Sequence, residues 1–384
     1  MGKPTRLWVE TITLTNYRNY SALTLNTDER PAVLFGTNGS GKTNLIEAIS
    51  LLAPGRGLRR STYSDLARYE GAGGWAIAAT LHVNGENVRI GTGLQSKYSN
   101  HERSGRIVRI NGTIQSGSGA LAEYTEIVWL TPTSDGIFTG PSSERRRFLD
   151  RLILCFDPSY RTRAGQFERA MRQRNRLLDC GGSPAQLDGL ETIMAETGVA
   201  IAAARVEAVL SLSATIQSRK QRRSNELFPW AQLDLEGDLE QALRNHPAIS
   251  VEDWYRDQLA KARKRDHASA RTLMGPHRSD LIVSNGSKGM LARACSTGEQ
   301  KALLISLVLA HAELVSTRRN GIAPILLLDE IAAHLDVVRR IALFDDILRI
   351  GSQAWMTGTD YVAFAQLERR AQFFRVERGQ IAPV

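Results

Sequence analysis

Gly36-Thr37-Asn38-Gly39-Ser40-Gly41-Lys42-Thr43 is the stretch on which the reading of this chain turns. It satisfies G-x-x-x-x-G-K-[ST] at every fixed position. The apolar run before it, 31–35 (PAVLF), reads as a short strand, and LIEAISLLA after it reads as a helix. A glycine-rich turn between a strand and a helix start lets successive backbone N–H groups face phosphates, helped by the positive end of the helix dipole. Gly36, Gly39 and Gly41 permit the tight turn, and Thr37, Asn38 and Ser40 supply the amides between them. Lys42 is then the cation for the β- and γ-phosphates, and Thr43 the hydroxyl that ligates Mg2+. This context disfavours a chance glycine-rich turn.

Three pieces further along the chain belong with this loop. Ser296-Thr297-Gly298-Glu299-Gln300-Lys301 precedes the helix-like ALLISLVLAHAELV, and a Ser-x-Gly at a helix start can receive an anion or merely cap the helix. PILLLDE (324–330) is a buried strand ending in two carboxylates. Asp329 is the candidate Mg2+ ligand, and Glu330 the candidate group that orients and polarises an attacking water. Ala333-His334-Leu335-Asp336 follows.

In the order phosphate loop, signature, acidic strand, Leu-Asp loop, these pieces resemble the ABC ATPases, in the branch of SMC, Rad50 and RecF proteins. The resemblance implies an α/β head (P-loop NTPase, mixed β-sheets with flanking helices) that binds ATP and Mg2+. Lys42 and Glu330 would be catalytic. Ser296, Gly298 and Gln300 would cover the ATP of a second copy in an ATP-dependent homodimer, with Asp336 in the D-loop. Four more stretches resemble the RecF family itself: Leu14-Thr-Asn-Tyr-Arg-Asn-Tyr20, Arg109-Ile-Asn-Gly112, Gly140-Pro-Ser-Ser-Glu-Arg-Arg-Arg-Phe-Leu-Asp150 and Gly275-Pro-His-Arg-Ser-Asp-Leu281. Membership would imply a weak, DNA-stimulated ATPase of recombinational repair that clamps DNA when its heads dimerise. Such a protein helps load recombinase at single-strand gaps with RecO and RecR, and supports replication restart and SOS induction. The chain departs from the pattern in three places. Ser134 stands before Asp135 where an acidic residue is usual, no glutamine follows strand 126–130, and Thr357 or Thr359 occupies the neighbourhood of the ABC switch histidine. Slow hydrolysis would fit.

Strand patterns cover 6–14, 21–25, 75–94, 107–115, 126–130, 280–284, 354–357 and the final FFRVERGQIA, with Asn-Gly turns at Asn84-Gly85 and Asn111-Gly112. From about 143 to 273 the periodicity is mostly helical, in segments 143–155, 159–180, 186–227 and 251–273. The expected organisation is an N-terminal head part, 1–142, a helical arm, 143–273, and a C-terminal head part, 274–384. A helix of at most about 40 residues spans roughly 60 Å, a short arm unlike the long coiled coils of SMC and Rad50.

The arm is basic. Residues 144–176 hold ten arginines against four acidic residues, and 256–271 add Arg256, Lys261, Arg263, Lys264, Arg265 and Arg271. The whole chain has 49 Lys and Arg against 40 Asp and Glu, a balance that favours a polyanionic partner. Arg161, Arg163, Arg169 and Arg172 are the candidate phosphate contacts; a solvated helix face is the plainer alternative. No base-reading motif accompanies them, so contact with single-stranded, gapped or junction DNA would not be sequence-specific. Arg145 to Arg147 are open between DNA, the ATP site and the dimer. Tyr17 and Arg18 are open between adenine, DNA and ordinary packing, and His277 and Arg278 between a structural and a DNA-facing role. Three scattered cysteines fit a reducing compartment, and Cys295 reads as a small packed residue. With no signal peptide and no apolar run of about 18 residues, a cytoplasmic protein without a membrane partner is expected. A nuclease-associated ATPase of the overcoming-lysogenisation-defect (OLD) type is the alternative; it would need a further metal-binding domain, for which about 50 residues after Glu330 leave no room. A transporter subunit is disfavoured by the arm.

Overall fold

The computed structural model describes residues 6–71, 73–95, 105–222, 228–333 and 335–384. They form two compact units, each described by itself. The first takes the chain up to Asp135 and again from Leu304 onward; most of Gly136–Leu303 forms the second.

In the first unit the chain runs through β1 (Leu7–Tyr17), β2 (Tyr20–Asn26), β3 (Ala32–Phe35), α1 (Lys42–Ser50), β4 (Trp75–Val83), β5 (Glu86–Leu94), β6 (Ile107–Ile110), β7 (Thr113–Ile114) and β8 (Ile127–Leu130). β1, β2 and β4–β7 make an antiparallel sheet of order β2-β1-β4-β5-β6-β7. Its strands alternate buried and open residues, as expected where only one face is covered. In β1 the alternation changes phase between Val9 and Ile12, where a register shift against β4 inserts one residue. Both Asn-Gly turns are tight hairpins with positive φ at each residue, 54° and 88° at Asn84-Gly85 and 49° and 86° at Asn111-Gly112.

The second unit holds α2 (Ser142–Ile153), α3 (Tyr160–Cys180), α4 (Pro184–Arg222), β9 (Ala231–Glu236), α5 (Asp238–Asn245), α6 (Ala248–Lys261), α7 (Arg263–Ala268), β10 (Asp280–Asn285) and β11 (Met290–Leu291). Between the helical segments lies a strand: β9 pairs antiparallel with β10 over six positions, Glu236 with Asp280 through Ala231 with Asn285. The alternation Ala231, Leu233, Leu235 is too short to stand out between helices, and its partner strand lies more than 40 residues on. The unit also reaches past 273 to Leu303, so the signature stretch is part of it.

α4 has 39 residues, about 58 Å at 1.5 Å per residue. By length and composition it could cross a membrane, with a mean hydropathy of 1.6 over 18 residues. Arg205 and Glu207 interrupt this run in the sequence. Many of its apolar residues, among them Met194, Val199, Ile201, Val209, Leu212 and Ile216, are buried inside the unit, while Ile193 and Leu210 are exposed; α4 packs on α3 and α6.

The chain closes through α8 (Thr297–Arg318), β12 (Ile325–Leu328), α9 (Val337–Ile350), β13 (Ala354–Gly358), β14 (Gln372–Glu377) and β15 (Gln380–Pro383). β3, β13, β12 and β8 run parallel in a sheet of order β15-β14-β3-β13-β12-β8. Every residue of β3, β12 and β13 is buried, the pattern of parallel strands covered on both faces. Leu45, Ile46 and Ile49 of α1 share one core with Ile12 and Leu14 of β1, Leu34 of β3, Leu327 of β12 and Trp355 of β13. This sheet brings the ends of β3, β12 and β13 side by side.

Candidate active site

The phosphate loop lies between β3 and α1, as the sequence predicts. Gly36, Gly39 and Gly41 have φ of 151°, 80° and 120°. Two of them also lack room for a side chain. A Cβ on Gly36 would come within 2.2 Å of the Val376 carbonyl oxygen, and one on Gly41 within 2.7 Å of the Tyr20 hydroxyl. α1 begins with no side-chain cap, so its first amides keep their capacity for an anion. The Ser40 hydroxyl is buried without a hydrogen-bond partner. Lys42 Nζ donates to the carbonyls of Gly36 (2.7 Å) and Thr37 (2.9 Å). Burial pulls its pKa down, and the carboxylates of Glu330 and Asp329 pull it back up.

Asp329 and Glu330 follow β12 directly. Asp329 Oδ1 accepts from Thr43 Oγ1 (3.1 Å) and Thr357 Oγ1 (2.6 Å). A hydroxyl and a carboxylate oxygen at this separation are the hard donors that Mg2+ prefers, so Thr43 and Asp329 fit the ion and would hold it, to offset phosphate charge. Glu330 has φ 51° and donates its backbone N–H to Thr357 Oγ1 (2.8 Å). Its side chain lines a cavity of about 140 Å³ together with Asn38, Gly39, Gly41, Lys42, Thr43, Asn44 and Arg59. Of the two candidates for the histidine's place, Thr357 is fully buried on the acidic pair.

The Leu-Thr-Asn-Tyr-Arg-Asn-Tyr stretch supports this loop. Asn19 Nδ2 donates to the Ser40 carbonyl (3.2 Å), Asn44 Nδ2 donates to Asn19 Oδ1 (2.7 Å), and the Tyr20 hydroxyl donates to the Gly41 carbonyl (3.0 Å). Arg18 forks onto Glu47 of α1 through two bonds of 2.9 Å. Tyr17 is wholly buried, edge-on to Trp75. Tyr17 is thus part of the core, and Arg18 is a partly exposed guanidinium held on Glu47. Arg59 was not among the sequence candidates. It donates to Asn44 (2.9 Å) and pairs with Glu47 (3.5 Å) at the rim of the cavity. Its run Arg56-Gly-Leu-Arg-Arg60 shows charge but no fixed spacing to the phosphate loop, so only the fold reveals it.

In the second unit, Ser296 and Thr297 are exposed at the start of α8. Glu299 reaches back to accept from the Ser296 N–H (3.0 Å) and hydroxyl (2.9 Å), a capping box. Its outer oxygen pairs with Lys288 at 2.5 Å, and these three partners hold its carboxyl down to about 2, Lys288 first. Gly298 leaves open space above the helix start. Gln300 turns inward instead, buried and donating to the Cys295 carbonyl (2.8 Å), so it shapes the turn. Cys295 is buried, as expected. In the first unit Asp336 caps α9 by accepting from the Arg339 N–H (2.8 Å); His334 lies outside the described residues.

The Gly140–Asp150 and Gly275–Leu281 stretches meet inside the second unit. Arg145 forks onto Asp280 (2.8 and 2.7 Å), and Arg146 donates to the Ser279 carbonyl (2.5 Å). Asp150 accepts from Arg205 (3.0 and 3.2 Å). Gly275 has φ 133°, with the Tyr255 hydroxyl 2.3 Å from where a Cβ would stand. His277 Nε2 lies 2.9 Å from the Thr272 carbonyl, while Arg278 is exposed. Arg145, Arg146 and His277 are therefore framework. On α3, Arg163 is paired with Asp157 and Arg172 with Glu168 (3.6 Å). Arg161 and Arg169 are exposed. Arg174, counted in the same run, is completely buried.

A family model described as the RecF/RecN/SMC N-terminal domain matches residues 8–381. The DNA replication and repair protein RecF of Mesorhizobium japonicum is 50% identical over 381 residues, covering 99% of each chain. That of Allorhizobium ampelinum is 52% identical over 378 residues, covering 98% of this chain and 99% of its own. A solved structure of the recombination mediator protein RecF-ATP in the RecFOR pathway aligns with TM-score 0.84 at 22% identity, over 100% of this chain and 99% of that one. An Smc head bound to the C-winged helix domain of ScpA aligns with TM-score 0.57 at 16% identity, over 98% and 97%. The fold is thus that of the RecF and SMC heads, and the chain belongs to the RecF family.

Proposed function

We propose that this chain is an ATP-hydrolysing, DNA-binding protein of recombinational repair. ATP binding joins two heads around DNA and hydrolysis lets it go; RecO and RecR are the partners proposed for recombinase loading at gaps, in the cytoplasm. The observation that carries the reading is the convergence of Lys42, Thr43 and Glu330 on one cavity, with Asp329 hydrogen-bonded to Thr43, beside an uncapped helix start. Lys42 faces the phosphates with its charge, Thr43 and Asp329 would hold Mg2+, and Glu330 takes a proton from the water that attacks the γ-phosphorus, as the bond to the β–γ bridging oxygen breaks and ADP leaves with that oxygen. The full-length match to RecF proteins does not favour the nuclease-associated alternative.

Removing only the base separates binding from hydrolysis. Glu330→Gln is expected to slow hydrolysis about 100-fold and leave ATP affinity within threefold, so that an ATP-bound dimer persists on DNA. Ser296→Arg sets a bulky cation at the helix start, and ATP should still bind while dimerisation fails. Light scattering with ATP reads both. Wild-type dimerisation of Ser296→Arg would reduce the signature to a helix cap and refute the two-head site.

Weak DNA-stimulated hydrolysis is part of the same reading. Affinity for a gapped duplex should fall log-linearly with salt. Arg169→Glu should flatten that slope by about one phosphate. Arg163→Glu should leave the slope alone, because Asp157 already pairs with Arg163. Equal slopes for both variants and the wild type would move the DNA off α3.

A further inference from the structure

Thr357 sits at the end of β13, fully buried. Its hydroxyl has one proton and acceptor lone pairs, and the neighbours fix how they are used. The Glu330 N–H can only donate, so Thr357 Oγ1 accepts there at 2.8 Å. The proton is left for Asp329 Oδ1 at 2.6 Å. One side chain thus grips two consecutive residues of the acidic pair from the neighbouring parallel strand. The first is gripped through its carboxylate and the second through its backbone.

The second grip falls on a strained residue. Glu330 has φ 51°, the left-handed region that is strained for a non-glycine residue and persists only where the surroundings impose it. Turning this peptide back toward ordinary values would swing the Glu330 side chain relative to Lys42 and Thr43, with which it lines the cavity. The bond from the Glu330 N–H to Thr357 is the hydrogen bond that resists this at the strained residue itself. Asp329 is held from two sides, by Thr43 at 3.1 Å and by Thr357 at 2.6 Å, so its carboxylate cannot rotate without breaking one of them.

We infer that Thr357 is a positioning residue for hydrolysis: its hydroxyl locks the left-handed backbone of Glu330 and thereby aims the Glu330 carboxylate at the attacking water. The inference rests on the hydrolytic role of Glu330 proposed above. It accounts for a threonine at the end of this strand, because valine has the same shape but can neither accept from the N–H nor donate to the carboxylate.

The test is a double-mutant cycle in the full-length protein, with ATP affinity, single-turnover hydrolysis on gapped DNA and the lifetime of the ATP-dependent dimer as readouts. Thr357→Val is expected to lower the hydrolysis rate at least about 30-fold, to change ATP affinity less than threefold, and to prolong the dimer as Glu330→Gln does. Thr357→Ser restores both bonds and should recover the rate to within threefold of wild type. In a Glu330→Gln background Thr357→Val should slow hydrolysis no further. Should valine abolish ATP binding through misfolding, Thr357→Ala, which removes the hydroxyl without added bulk, carries the same expectations. Wild-type hydrolysis in the hydroxyl-less variant overturns the proposal. So does a serine variant as slow as valine, or a full further loss on top of Glu330→Gln. If Glu330→Gln alone hydrolyses at the wild-type rate, the hydrolytic reading fails and takes this proposal with it. If Glu330→Gln is slow while Thr357→Val is not, only the role of Thr357 falls.

Discussion

Lys42→Ala is expected to weaken ATP binding by roughly 150-fold, the equivalent of about 3 kcal/mol. The ammonium makes two hydrogen bonds, to the Gly36 and Thr37 carbonyls at 2.7 and 2.9 Å, and faces the space where the phosphates of a nucleotide must lie. Charge-assisted hydrogen bonds contribute about 1.5–3 kcal/mol each, and the β- and γ-phosphates would lose at least one each along with the neighbouring positive charge. The loop carbonyls that Lys42 now ties together would also lose their common donor. Lys42→Arg should recover little, since a planar guanidinium cannot sit as a point charge between two carbonyls of one tight turn. Titration calorimetry with ATP measures the loss, and the midpoint of thermal unfolding without nucleotide should move little. An ATP Kd within threefold of wild type would remove Lys42 from the site.

Arg174→Ala is expected to destabilise the second unit by about 3–5 kcal/mol. Arg174 has no exposed surface and pairs with Glu191 (2.9 Å) and Asp266 (2.8 Å), both 1% exposed. It further donates to Thr272 Oγ1 (3.0 Å) and the Leu259 carbonyl (2.8 Å). Each of its three guanidinium nitrogens donates, and pairing of this kind is the condition under which a buried charge is tolerated at all. Truncation leaves a side-chain-sized void and strips Asp266 of its closest cation, whereas Glu191 retains Arg263. The damage should therefore be partly relieved by Asp266→Asn, which removes the stranded charge, and less by Glu191→Gln. Urea unfolding of the three variants measures this. A loss below 1 kcal/mol for Arg174→Ala would mean that the unit does not depend on the network.

The phosphate loop and the acidic strand were legible in the sequence because their chemistry is local. Eight contiguous residues build the phosphate cradle, and the two carboxylates follow an apolar strand whose burial is plain from ILLL. The Asn-Gly hairpins were legible for the same reason, since the two turn residues alone set the backbone angles. Less local features were misread or missed. β9 falls between the helical segments 186–227 and 251–273, and its six residues are not legible as a strand because their partner is β10. Arg205 and Glu207 interrupt the apolar stretch of α4 in the sequence, and only the fold shows Arg205 drawn onto Asp150.

By itself, then, the sequence determined that the chain carries a nucleotide-binding loop, an acidic strand after a buried β-strand, and an inserted arm rich in arginine, because each follows from the order of neighbouring residues. Only the tertiary structure decided what the charges and hydroxyls do. Arg18 lies 29 residues from Glu47, Thr357 28 from Asp329, Arg145 135 from Asp280 and Arg174 92 from Asp266. Within one basic run, Arg145 and Arg146 became framework, Arg163 a partner of Asp157, Arg174 a buried core residue and Arg169 an exposed cation. An arginine's role depends on whether a carboxylate and a desolvated site come together around it, and packing between distant segments creates both.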